Sequence, residues 1–145
     1  MKILITGSNG LLGQKLVELL AKHKEKVIAT ARGSNRLPES WVGYEFVSLD
    51  ITNQLQVESV FTKYEPEVVI NTAAMTNVDQ CERERSSCTA LNVDAVSYLT
   101  AACKKINAHL IHLSTDFIFD GSHGPLTEEE IPNPVSFYGE SKLKS

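Results

Sequence analysis

Apolar residues follow two rhythms along this chain. Short runs rich in β-branched residues alternate with stretches in which apolar positions recur every three or four residues. Lys2 to Thr6 (KILIT), Lys26 to Ala31 (KVIATA), Tyr44 to Leu49 (YEFVSL), Glu67 to Asn71 (EVVIN) and Ala108 to Ser114 (AHLIHLS) read as strands in that order. Leu12, Leu16, Leu19 and Leu20 mark a helix after the first strand. Thr52 or Asn53 caps a second helix running to about Tyr64, and Asn77 to Arg85 holds a short one. A longer helix runs from about Ser86 to Ile106. Asp116 to Pro134, rich in Gly, Pro and acid, reads as loop. Pro134 then fits the first turn of a last helix carrying Tyr138 to Leu143.

Strands alternating with helices predict an α/β fold whose parallel sheet is covered on both faces. Right-handed crossovers give a Rossmann-like, doubly wound sheet of order 3-2-1-4-5. Ligands in such sheets sit beyond the strand C-termini, where the winding reverses between strands 1 and 4. The chemistry is therefore expected at strand ends.

The first of these ends is Gly7-Ser8-Asn9-Gly10-Leu11-Leu12-Gly13, a turn through spaced glycines into a helix. Such a turn cradles phosphate: Gly7 for the turn, Gly10 for close approach of a diphosphate, Gly13 for packing of helix on strand. The helix N-terminus supplies free N–H groups and the positive end of a dipole. Asn9, Leu11 and Leu12 join the cofactor-binding set by position. An ordinary strand–turn–helix corner has the same pattern, but this one sits between the right two elements.

After strand 2 no acid is present to take a ribose 2′-hydroxyl. Arg32, with Ser34 and Arg36, offers partners for a 2′-phosphate instead, so NADP is preferred over NAD. A solvated basic loop reads the same way. Asp50-Ile51 after strand 3 can meet an adenine, carboxylate to amine and aliphatic side chain to ring. Asp50 as a turn or capping residue before Thr52 is equally consistent. Ala73-Ala74 after strand 4 let a cofactor lie against the backbone, or make a tight junction.

Thr115 and Asp116 leave strand 5, and Tyr138-Gly139-Glu140-Ser141-Lys142 follows the loop. Tyr138 and Lys142 are four apart and share a helix face. A free phenol, with pKa about 10, is a poor acid at neutral pH. A nearby ammonium favours the phenolate and brings the group toward working range. Thr115 could then hold a substrate carbonyl while Tyr138 transfers a proton. Tyr-x-x-x-Lys alone is unspecific; its order after the glycine turn and the Ser-Thr strand end is what gives it weight.

Composition changes this picture little. The 145 residues suffice for one domain, and 42% hydrophobic with 22% charged residues is ordinary for a globular protein. A formal net charge of −4 argues against a nucleic-acid partner. No apolar run approaches membrane-spanning length and no signal-peptide layout opens the chain, so a membrane is not expected and the cytoplasm is. Cys81, Cys88 and Cys103 lack metal-ligand spacing and read as reduced thiols; no metal site is expected.

With these residues in view, the chain resembles the extended short-chain dehydrogenase/reductase superfamily across essentially its whole length. The pieces are Gly7-x-x-Gly10-x-x-Gly13, Asp50-Ile51, Asn71-Thr72-Ala73-Ala74, Asn92 and Tyr138-x-x-x-Lys142. Within it, Ala73 to Glu82, Ser114 to Gly121 and Pro134 to Lys142 resemble the dTDP-4-dehydrorhamnose reductase branch. The resemblance implies NADPH- or NADH-dependent reduction of the C4 ketone of a nucleotide-linked 6-deoxy sugar. It implies that Thr115 polarises the keto oxygen, Tyr138 donates the proton, Lys142 binds the nicotinamide ribose and tunes Tyr138, and Asn92 supports a proton relay. The same branch includes the regulatory β subunit of methionine adenosyltransferase, so a non-catalytic dinucleotide-binding subunit is the alternative. Sugar-nucleotide epimerisation or dehydration is a third reading. Family members carry further strands and a sugar-nucleotide domain, so residues 1–145 are expected to be an NAD(P)-binding domain that is incomplete at its C-terminus, with the substrate domain absent. Such a fragment is expected to be inactive alone, and homo-oligomerisation stays open.

Other polar residues receive plainer readings. His23 is a solvated helix end, His109 and His112 pack in or beside strand 5, and His123 is a loop residue. Glu128 to Glu130 form a solvated acidic run, and Asp79 and Glu82 serve a helix end or an ion pair as readily as a site.

Overall fold

The computed structural model describes residues 1–145. Five parallel strands form one sheet in the order β3-β2-β1-β4-β5. They are β1 (Lys2–Thr6), β2 (Lys26–Ala31), β3 (Tyr44–Ser48), β4 (Val68–Asn71) and β5 (His109–His112). Connecting them are α1 (Leu11–Lys22), α2 (Gln54–Tyr64), α3 (Val78–Arg83), α4 (Arg85–Thr89) and α5 (Ala95–Ile106). After β5 come a 3-10 turn, Asp116–Ile118, and α6 (Phe137–Leu143). The expected doubly wound order is what forms. No helix is long and apolar enough to cross a membrane.

Alternation along the strands splits the core between the two sheet faces. Leu4, Ile28 and Val69 point to the face covered by α2 and α5, where they meet Val57, Phe61 and Leu99. Ile3, Ile5, Val27 and Ala29 point to the other, where Val17 of α1 and Leu37 meet them. Trp41 packs at the margin of this second cluster, near Tyr44 of β3. Helix α1 is rotated from its leucine pattern: Gly13 and Val17 are its fully buried residues. Leu12 and Leu19 are half exposed, so the stripe read from sequence runs partly over solvent.

Differences from the sequence reading arise where backbone geometry departs from a regular period. The long helix after Arg85 is interrupted by a π-turn, Ala90–Asp94, closed by Ala95 N–H donating to Ala90 O. Pro134 is not in the last helix, which begins at Phe137 after Ser136. The serine hydroxyl accepts from Gly139 N–H at 3.1 Å and outcompetes proline as the start signal.

The register sets a polar row across the C-terminal ends of four strands. Thr30 is opposite Thr6, Thr6 opposite Asn71, and Asn71 opposite His112. Thr30, Thr6 and Asn71 are buried; Thr30 Oγ1 donates to Ile5 O, while Thr6, Asn71 and His112 are linked side chain to side chain. This row forms the floor on which the site is built.

Candidate active site

The turn from β1 into α1 folds tightly because side chains are missing where atoms converge. Gly7 holds φ at +68°, and a Cβ on Gly13 would lie 2.3 Å from Gly7 O. Helix α1 starts at Gly10 with no side-chain cap and no acidic residue in its first turn. Its first internal bond is Gln14 N–H to Gly10 O, so the N–H groups of Leu11, Leu12 and Gly13 have no helical acceptor. Ser8 Oγ, in the same turn, is a sealed polar atom without a partner. Open donors at the positive end of a twelve-residue helix fit the diphosphate of a dinucleotide.

Beside this turn lies a cleft of about 460 Å³ over the point where the sheet winding reverses. Of the sequence-derived cofactor residues, Gly7, Gly10, Arg32, Asp50, Ile51, Ala73 and Ala74 line it. Asn9 acts from behind: its Nδ2 donates to Ser34 O at 2.9 Å and its Oδ1 accepts from Arg36 N–H at 3.0 Å. The loop carrying Arg32, Ser34 and Arg36 is thereby tied to the glycine turn. Asp50 Oδ1 accepts from Thr52 N–H at 3.0 Å and Thr52 Oγ1 at 2.7 Å, so the residue shapes its turn and lines the cleft at once. Leu11 and Leu12 lie exposed at the helix mouth.

Tyr138, Lys142, Asn92 and Thr115 do not line the cleft; they form a second body beside it. Gly139 seats α6 against the 3-10 turn, since a Cβ there would meet Phe117 O at 2.2 Å. That contact brings the segment after Thr115 to Tyr138, and the Phe117 and Tyr138 rings meet edge to face at 5.7 Å. Thr115 Oγ1 accepts from Phe117 N–H at 3.2 Å and lies 3.3 Å from Asp116 Oδ1, which takes its proton. Glu82 Oε1 accepts from Phe137 N–H at 2.7 Å. That bond, and then Arg85, hold the Glu82 carboxyl below the usual carboxylate range, so its role is at the end of α6.

Tyr138 is only 8% exposed and packs with Cys81 and Cys88. Its hydroxyl nevertheless has no partner in the protein and is not sealed from solvent. Lys142, one turn on, is buried beside it on α6. Burial lowers the Lys142 pKa, and no carboxylate pairs with it.

Asn92, in the π-turn, joins the two bodies. Its Oδ1 accepts from Met75 N–H at 2.8 Å, and its Nδ2 donates to Met75 O at 3.0 Å and to Ser141 Oγ at 2.9 Å. Met75 lines the cleft and packs on the Tyr138 cluster. The amide is engaged at both ends in holding cleft to helix, and no sequence signal reveals that Met75 is what it holds. Thr72, from the Asn71-Thr72-Ala73-Ala74 piece, lines the cleft too, as do three residues that carry no sequence signal, Ser87, Ala90 and Leu91. The last two lie on the π-turn, whose shape the apolar pattern does not encode.

His112 is the other residue whose place differs from expectation. It does not simply pack: half-buried, its Nδ1 lies 3.0 Å from Asn71 Nδ2 and its Nε2 2.9 Å from Lys142 Nζ.

A family model described as RmlD substrate binding domain matches residues 1–145. A dTDP-4-dehydrorhamnose reductase of Aggregatibacter actinomycetemcomitans is 39% identical over 145 residues, 99% of this chain and 45% of that protein. Methionine adenosyltransferase 2 subunit beta of Bos taurus is 31% identical over 99% of this chain and 41% of its own length. The crystal structure of a Bacillus anthracis dTDP-4-dehydrorhamnose reductase in complex with NADP superposes with a TM-score of 0.78 at 32% identity. The superposition covers 99% of this chain and 48% of that one. The chain thus spans about half the length of the relatives it matches.

Proposed function

We propose, because this chain belongs to the RmlD substrate binding domain family, that it forms the nucleotide-binding unit of a reductase acting on the C4 ketone of a nucleotide-linked 6-deoxy sugar, with NADPH preferred to NADH. The reduced nicotinamide supplies a hydride when bound. The open N–H groups of α1 bind its diphosphate, Arg32 takes the 2′-phosphate with Ser34 and Arg36, and Asp50 and Ile51 receive the adenine. Ala73 and Ala74 keep the cleft wall low, and Met75 closes it.

Tyr138 donates its phenolic proton to the oxygen that gains charge as the ketone becomes an alkoxide. Thr115 offers its hydroxyl to the same oxygen, leaving Asp116 to do so. Lys142 steadies the phenolate that Tyr138 becomes, and Asn92 is a positioning residue that keeps Met75 and Ser141 in register. The carrying observation is the free Tyr138 hydroxyl on a ring that is otherwise packed. A structural tyrosine this buried would normally bond its oxygen.

The test is NADPH consumption by the polypeptide carrying residues 1–145 together with a sugar-nucleotide-binding unit, given a dTDP-4-keto-6-deoxy sugar. One NADPH oxidised per alcohol formed supports the reading; no turnover with tight nucleotide binding overturns it. That second outcome supports a regulatory subunit, favoured by the likeness to methionine adenosyltransferase 2 subunit beta and by Tyr138 and Lys142 lying off the cleft. Copurification with a synthetase would then be expected. Nucleotide recovered tightly bound as NAD would indicate epimerisation or dehydration.

A further inference from the structure

The contacts around His112 determine which of its ring nitrogens carries the proton. Ala73 N–H donates to Asn71 Oδ1 at 3.2 Å, and Thr6 Oγ1 donates to the same oxygen. A backbone N–H cannot accept, so the Asn71 amide is fixed with Nδ2 toward His112 Nδ1, which must accept. At the other side of the ring, Ser145 Oγ donates to Lys142 O at 2.7 Å. Its hydrogen is therefore spent, and it meets His112 Nε2 at 3.1 Å as an acceptor. Both ends demand one tautomer, with hydrogen on Nε2.

Lys142 Nζ lies 2.9 Å from that same Nε2. An ammonium has three donors and no acceptor, so it would set N–H against N–H. A neutral amine has a lone pair and accepts. We propose that His112 is a positioning residue for Lys142: its Nε2–H, fixed by Asn71 and Ser145, holds Lys142 as an uncharged amine, and charging Lys142 releases it from the ring. Protonation of the lysine and its freedom to serve Tyr138 become one event.

Two features support this. Lys142 is buried with no carboxylate partner, and burial lowers its pKa. Burial, and then the Lys142 charge when present, push the His112 ring down to about 4, which keeps the imidazole neutral. The groups facing His112 are Asn71 from β4 and Lys142 and Ser145 from α6 and its end; Lys142 is the one ionisable side chain among them. The polar row of the sheet thus continues from Thr6 through Asn71 and His112 to the lysine.

The link to Tyr138 chemistry rests on the proposed reductase reading, but the tautomer and the charge do not. The experiment is nuclear magnetic resonance on the 145-residue chain labelled in histidine and lysine. Two-bond proton–nitrogen correlations should show His112 as the Nε2–H form at neutral pH. The Lys142 Cε resonance should titrate below the other lysines, and His112→Gln should move that midpoint up toward them. A wild-type His112 in the Nδ1–H form overturns the proposal without any variant. A Lys142 midpoint indifferent to a folded His112→Gln chain also overturns it. Neither result touches the reductase reading, which stands or falls on NADPH turnover.

Discussion

The glycine turn and the Tyr138 helix are neighbouring helix starts built by opposite means. Helix α1 opens on Gly10 with nothing capping its N–H groups. Helix α6 opens with Ser136 and Glu82 both accepting from its backbone, on Gly139 and Phe137. The first leaves donors unmet, which suits a charged ligand that brings its own acceptors. The second caps its backbone and buries Tyr138, Ser141 and Lys142, leaving the Tyr138 hydroxyl free. On the proposed reading, an anion site is made by omission and a proton donor by fixing everything around a single group. Asn92, through Met75 and Ser141, keeps the two at a set distance.

The contrast can be broken from either side. The largest effect is expected for Tyr138→Phe in the longer polypeptide that the proposed reading requires: turnover as a reductase falls by about 10²–10⁴-fold, the range for a lost general acid. Nucleotide affinity stays within a few-fold and the melting temperature hardly moves, because the hydroxyl has no partner to lose. Steady-state kinetics and fluorescence titration separate the two; lost affinity would make Tyr138 a structural residue. Next, Gly13→Val forces a side chain onto Gly7 O, already only 2.3 Å from an ideal Cβ. NADPH binding should weaken by at least roughly 100-fold, about 3 kcal/mol. If affinity survives in a folded variant, the turn is not the cradle.

Smaller effects sharpen the picture. Arg32→Ala should narrow the ratio of NADPH to NADH affinity by about tenfold, the scale of one charged contact. An unchanged ratio removes Arg32 from 2′-phosphate recognition. The mildest test is pH. His112 is pushed down to about 4 in the folded chain from an ordinary 6.5. Between those values the unfolded chain binds the proton and the folded one does not. The contribution is therefore complete above pH 6.5 and is lost as pH falls toward 4. Denaturant melts should show stability falling over this window, more gently in His112→Gln.

The sheet was legible because its strands are short apolar runs bounded by Gly, Pro and Asn. Order and handedness then follow from crossover rules. The glycine turn, Asp50, Ala73 and the Tyr138–Lys142 pair were legible as residue types at fixed offsets. What surrounds them was not. His112 sits among Leu110, Ile111 and Leu113 and carries no local mark of its role, which depends on Asn71 being opposite it across β4. Leu12 and Leu19 belong to the right helix but not to its buried face, since the close approach at Gly13 sets the rotation of α1. Pro134 was a sound start signal displaced by a better cap at Ser136. Asn92 was placed by resemblance, while the amide pairing that explains it is a tertiary fact.

The π-turn at Ala90–Asp94 accommodates one residue more than an α-helix of the same span would hold. Deleting a single residue there would restore ordinary winding and leave Cys88 and α5 in their present phase, because the wide turn already absorbs the surplus residue. What would change is the turn itself: Asn92 would no longer be held where it reaches Met75 and Ser141, yet the strands would not notice. The segment is thus a local widening: one surplus residue swells the turn that carries Ala90 and Leu91 to the cleft and Asn92 to Met75, while the helix on either side keeps its course.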